Sequence, residues 1–174
     1  MRALEFWKTI TVDKSNLLEH LIALLNEHAI RYCVIGGQAV NAYVEPVVTL
    51  DLDLVVAVDQ LKQAESLLAN SFHVERFAYS VNVSQTGSDL RIQIQTDPRY
   101  TSFVKGATER EVLGLRLAVA TLENVIRGKV WAVQDPTRRA SKRQKDLADI
   151  SRLLESYPHL HSQVPQEILA MLIK

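Results

Sequence analysis

The stretch IGGQAVNAYVEPVVTLDLDLVV, residues 35 to 56, decides how this chain folds. Its right end lies in LDLDLVVAV (50–58), rich in β-prone residues, which predicts a buried strand. Its left end closes IRYCVI (30–35), a second apolar run, at the pair Gly36-Gly37. Between them, residues 38–44 can form one short helix, ended at Glu45-Pro46 because proline disfavours the helical region in the residue before it. Side chains alternate along a strand, so Asp51 and Asp53 project together while Leu50, Leu52 and Leu54 face the other way. Two carboxylates side by side repel unless a cation sits between them, and hard oxygen ligands at this spacing suit Mg²⁺ or Mn²⁺. Gly36 and Gly37, lacking Cβ atoms, would let a phosphate approach the backbone N–H groups where the following helix begins.

Working outward, Leu17, Leu21, Leu24 and Leu25 recur at helical spacing up to about residue 28, behind a cap at Asp13 or Ser15. A helix over 60–70 and strands over 72–76, 78–84 and 90–96 follow, with a Gly-Ser-Asp turn at 87–89. One short strand is expected within 111–118. Helices are expected over 122–133 behind Thr121 and 142–155 behind Ser141, with a last short helix over 165–173. This order predicts an α/β (α+β) architecture: a small mixed sheet flanked by helices over 1–118, and a helical C-terminal subdomain over 119–174 packed on it.

With 174 residues and 47% hydrophobic content, the chain can fill a packed core, which excludes a disordered or collagen-like protein. No apolar run approaches the length of a membrane span, and MRALEFWKTI lacks the pattern of a secretory leader. A cytoplasmic location with no membrane partner is expected. The single Cys33 forbids an internal disulfide and reads as core. The five histidines lack metal-cluster spacing, and Trp7 and Trp131 read as packing residues. Net charge is zero but divided: residues 1–104 hold eight Lys/Arg against twelve Asp/Glu, residues 105–152 eleven against six. An acidic front and a basic rear fit metal-binding carboxylates facing phosphate-binding cations; two solvated faces fit equally well.

The order strand, Gly-Gly, helix, strand with Asp-x-Asp resembles the nucleotidyltransferase fold superfamily, the DNA polymerase beta-like group, and within it the AbiEii-like toxin branch and related bacterial nucleotidyltransferases. The resemblance spans about residues 15–155. It rests on Gly36, Gly37, Asp51 and Asp53, on Lys129 in IRGKVWA, and on KDLAD at 145–149. It implies Mg²⁺- or Mn²⁺-dependent transfer of a nucleoside monophosphate from a nucleoside triphosphate (NTP) to an acceptor, with Asp51 and Asp53 as metal ligands. The acceptor could be a tRNA, a protein or a small molecule, and the toxin branch implies a cognate antitoxin.

Helical periodicity bears on the rest of the resemblance. Lys129 falls on the stripe of Leu122, Val125, Ile126 and Val130, and Asp146 points between Ile150 and Leu153, so a lysine and an aspartate both face inward. Functionally, Lys129 would offset charge on the triphosphate, Asp146 would orient Lys129 or complete the metal shell, and Lys145 would bind nucleotide. Structurally, Lys129 could be a snorkelling stem, Asp146 a helix-fixing ion pair, and Lys145 and Asp149 partners across one helical turn.

Two departures stand out. The resemblance implies a third carboxylate on a later strand, as many members of that superfamily carry; on LRIQIQT (90–96) its position is Gln93, which cannot take a proton. Asp89, Asp97 or Asp146 could substitute, two carboxylates could suffice, or the chain could be a degenerate, non-catalytic nucleotide- or RNA-binding regulator. Val47 and Val48 stand where relatives often place an arginine, a loss that Arg138, Arg139, Lys142, Arg143 and Lys145 could offset. That basic run could equally be a solvated helix start or an RNA-binding patch.

Overall fold

The structure, a computed structural model, describes residues 3–11 and 15–172. In chain order the elements are α1 (Ala3–Thr11), α2 (Leu17–Glu27), β1 (Tyr32–Ile35), α3 (Gly36–Asn41), β2 (Asp51–Val56), α4 (Leu61–Ser71), β3 (His73–Arg76), β4 (Ser80–Ser84), β5 (Arg91–Gln95), β6 (Thr108–Val112), β7 (Leu115–Val119), α5 (Leu122–Gln134), α6 (Ala140–Ser156) and α7 (Gln166–Leu169). The seven strands form one mixed sheet in the order β3-β4-β5-β2-β1-β7-β6. The two apolar runs of the opening stretch are its centre: β1 and β2 pair antiparallel, β5 joins β2 in parallel, and β7 joins β1 in parallel. All four residues of β1 are buried, as a central strand requires. In β2, Leu52 and Leu54 are wholly buried while Asp51 and Asp53 keep some exposure, so the alternation read from the sequence holds.

The C-terminal helices supply the other wall. α5 packs along α6, and both touch α3, which follows directly from β1. Thr121 caps α5, accepting a hydrogen bond from the Asn124 N–H at 3.2 Å. No described helix is long and apolar enough to cross a membrane. Cys33 is buried, and burial pushes its thiol up to about 12, in keeping with a core role.

Several local expectations change. α1 was not anticipated; Trp7 on it is buried, and its Nε1 donates to the Thr49 carbonyl at 3.0 Å. Residues 111–118 form not one strand but the end of β6, a tight turn and most of β7, because Leu113 and Gly114 both adopt positive φ, at 55° and 81°. Leu113 carries no turn signal, which hid this hairpin. Pro98–Gly106 forms 3₁₀ turns, capped by the Asp97 carboxylate. α6 begins at Ala140, ahead of the expected Ser141 cap. α2 is preceded by Asn16 rather than Ser15, while Asp13 and the last residue of the expected 165–173 helix lie outside the described residues.

Because Leu52 and Leu54 hold the face of β2 opposite the carboxylates, Leu54→Ala should cost about 3 kcal/mol of stability, read from the urea midpoint at unchanged slope.

Candidate functional site

Ile35 is paired in register with Asp53, so the turn leaving β1 starts beside that carboxylate. Gly36 there has φ +68°, in the left-handed region. A Cβ on it would overlap Asp53 Oδ2 and stand 3.2 Å from Asp53 Cβ and Cγ. Glycine is therefore needed at 36 twice over, for backbone conformation and for room. A Cβ on Gly37 would meet only ordinary contacts with Thr49, the nearest at 3.6 Å. The two glycines are thus not equivalent: the first seats Asp53, the second merely tolerates substitution for space.

The two carboxylates differ in their company. Asp51 is held by Arg91, whose Nε lies 2.8 Å from Oδ1, and by Lys142, whose Nζ lies 2.8 Å from Oδ2. Burial pushes the Asp53 carboxyl up to about 6; Asp51 adds to the rise, while Lys129, Arg138 and Lys142 oppose it. Both aspartates line a cleft of about 360 Å³ with Glu75, Asn82, Gln93 and Arg138 among its other walls. A narrower pocket adjoins it, sharing Asp53, Gln93 and Arg138 and adding Gly36, Lys129 and Asp146.

Lys129 and Asp146 do point inward, at 7% and 1% exposure. Lys129 Nζ lies 3.0 Å from Asp146 Oδ1 and 2.7 Å from Asp149 Oδ2. This excludes a snorkelling stem, and it corrects the reading of Asp149: the residue is buried and pairs with Lys129 and Arg152 rather than with Lys145. Arg152 Nη1 lies 2.8 Å from Asp149 Oδ1. Burial opposes the charge on Lys129, but its two aspartates outweigh burial and raise its pKa, so the ammonium stays charged. The second oxygen of Asp146 goes to Arg138 Nε at 2.9 Å, so both are occupied by cations. Lys145 is exposed and lies outside the lining of both pockets.

The basic run divides by side. Arg138 and Lys142 turn into the cleft, Arg139 is exposed, and Arg143 Nη2 instead donates to the Asp135 carbonyl at 2.9 Å, holding the loop before α6.

A polar row crosses the sheet beside the carboxylates. Register aligns Asp53 with Gln93, Gln93 with Asn82, and Asn82 with Glu75. Gln93 thus stands where a third acid was expected. Of the substitutes considered, Asp89 is exposed, Asp97 pairs with Arg99 at 2.8 Å, and Asp146 is already taken. Among the described residues no group of three or more His, Cys, Asp or Glu is arranged to hold a metal. Glu75, Asn82 and Arg91 were not singled out as site residues from sequence; Arg91 shares the strand face of Gln93, a usable signal, whereas Glu75 and Asn82 enter only through strand register.

No protein-family model matches the chain, and no curated protein matches it. Solved structures do. Residues amounting to 90% of this chain superpose on 92% of ANT(2″)-Ia, solved with adenylyl-2″-tobramycin, at a TM-score of 0.61 and 14% identity. The lincosamide antibiotic adenylyltransferase LnuA, solved with lincomycin, matches 81% of this chain over 98% of its own, at 0.55 and 8%. An antigenic nucleotidyltransferase-like protein from Paracoccidioides brasiliensis matches 94% over 84%, at 0.53 and 19%. The chain has the nucleotidyltransferase-type fold.

The folded chain holds the Asp53 proton more tightly than the unfolded chain, where a carboxyl titrates near 3.8. Raising the pH from about 4 through about 6 therefore costs stability at this group. Asp53→Asn, in chelator, should raise Tm at pH 7, with the gain shrinking towards pH 4; a pH-independent shift would contradict the assignment.

Proposed function

We propose that this chain is a divalent-metal-dependent nucleotidyltransferase that moves a nucleoside monophosphate from an NTP to an acceptor hydroxyl. The observation that carries the reading is the seating of Asp53 on Gly36 beside Asp51, across the cleft from Arg138 and Lys142. In this proposal residues 1–118 form the core that carries the carboxylates, and residues 119–174 the helical wall that carries the cations.

The donor set fits a divalent ion such as Mg²⁺ or Mn²⁺. Two carboxylates share one face, burial and then the neighbouring Asp51 raise the pKa of Asp53, and Mg²⁺ characteristically takes one or two protein carboxylates with substrate phosphates completing its shell. Asp51 and Asp53 would hold it. When bound, the ion would neutralise charge on the phosphates and favour in-line displacement at the α-phosphorus.

The chain's own residues do the rest. The acceptor oxygen forms a bond to the α-phosphorus, the bond from that phosphorus to the bridging oxygen breaks, and pyrophosphate leaves. Gly36 and Gly37 give the triphosphate access to backbone N–H groups. Lys129, already matched by Asp146 and Asp149, acts from the pocket floor on Asp53, while Arg138 meets phosphate charge at the cleft. Asp146 orients Lys129 and Arg138. Lys145, being exposed, is left to the rim. Gln93 takes no proton, so the acceptor proton passes to Asp53 or to water. The acceptor class, whether a tRNA end, a protein side chain or a small molecule, is to be found by screening, with the toxin-like options resting on resemblance alone.

Gln93 beside Asp53 favours one second reading, a catalytically silent nucleotide-binding regulator on the same scaffold. Calorimetry with Mg²⁺ and each NTP, followed by turnover assays on RNA, protein and small-molecule acceptors, separates the two. The enzyme reading expects Mg²⁺-dependent nucleotide binding with pyrophosphate release, and Asp51→Ala should cut release at least ~100-fold while leaving circular dichroism unchanged. Binding without release on any acceptor would favour the regulator, and no binding at all would overturn both.

A further inference from the structure

We infer that Lys142 is an exchangeable counter-ion of the carboxylate pair: it holds Asp51 while no divalent ion is present, and moves to the nucleotide phosphates when one binds. The inference rests on the nucleotidyltransferase reading and assigns it a coupling residue.

Both Asp51 oxygens are occupied, Oδ1 by Arg91 and Oδ2 by Lys142, each at 2.8 Å. A divalent ion ligated by Asp51 at about 2.1 Å needs one of those oxygens and repels an ammonium at that range. Arg91 comes from the neighbouring strand, its Cα in register with Asp51, so it sits beside the carboxylate within the sheet. Lys142 reaches across from α6, on the opposite wall of the cleft, by a flexible four-carbon stem. Its side chain is 34% exposed, so release towards solvent costs little. Its charge also acts on Asp53, which puts it near the space between the two carboxylates. Asp146, the nearest acid on its own helix face four residues on, is filled by Lys129 and Arg138 and cannot receive it.

A divalent ion arriving alone therefore releases Lys142 from Asp51 to solvent, whereas an ion arriving with a triphosphate brings the displaced ammonium a new partner. The two ligands must bind with positive coupling, and Lys142 is a positioning residue that carries part of it.

The test uses the full chain and Mn²⁺ without nucleotide, followed by paramagnetic resonance of the free ion, then a non-hydrolysable NTP analogue at saturating Mn²⁺. Lys142→Gln should bind Mn²⁺ alone about 3-fold tighter and the analogue about 3-fold weaker, the size expected of a partly exposed ion pair, while Lys142→Arg stays near wild type. Unchanged or weaker Mn²⁺ binding by Lys142→Gln overturns the exchange, and unchanged analogue binding overturns the move to phosphate. A wild-type chain that binds neither probe overturns the nucleotidyltransferase reading itself, a distinct result. A second measurement needs no variant: acetylation of Lys142 in the wild type, followed by mass spectrometry, should speed up with Mn²⁺ alone and slow down when the analogue is added. Equal rates in all three conditions would sink the proposal.

Discussion

Two like charges on adjacent outward positions of one strand repel, and much of the structure around β2 answers that repulsion. The left-handed turn at Gly36 seats one carboxylate, Arg91 flanks the other within the sheet, and the helical wall presents Arg138 and Lys142 across the gap. The solution is incomplete in an informative way. Asp51 has a cation on each oxygen, while Asp53 remains a partly buried acid with its pKa pushed up to about 6. An arrangement built for stability alone would replace such a group with an apolar one. Retaining it is the kind of local cost associated with sites that bind charge.

Beneath this lies a second, fully matched cluster. Lys129 bridges Asp146 and Asp149, Arg138 closes Asp146, and Arg152 closes Asp149. Arg152 also donates to Asn41 Oδ1 at 3.1 Å and to the Glu45 carbonyl, tying α6 to the end of α3 and the loop that leads into β2. The lower cluster thus fixes the wall against the core, leaving the upper cations Arg138 and Lys142 as those facing the open cleft. Charged residues that look alike in sequence divide by depth into those locked among acids and those that line the open cleft, with Arg138 belonging to both sets.

The central architecture was readable because period-2 and period-3.6 patterns each report burial directly. Asp51 and Asp53 against Leu52 and Leu54, and Lys129 and Asp146 on apolar stripes, all lie on the faces expected. What escaped was information held between elements. Nothing in KDLAD distinguishes an Asp149 turned to Lys145 from one turned to Lys129 on another helix. Strand register places Glu75 and Asn82 beside Gln93, and register is set by packing and turns rather than by those residues. The Leu113-Gly114 hairpin was lost because a leucine occupies a position that usually signals itself with Asn or Asp.

The parallel pairing of β1 with β7 has a kinetic side. Val34 meets Val119 only after the chain has passed through the other five strands, a long-range closure of the sort that slows folding. Lys129, Arg138 and Lys142 follow later still. During synthesis, then, Asp51, Asp53 and Arg91 emerge well before Lys129, Arg138 and Lys142, so Asp53 lacks the cations of the helical wall until α5 and α6 have been made. Completion of the cleft is thereby postponed until the C-terminal helices are in place, and a product truncated before α6 would lack the Lys142 side of its wall.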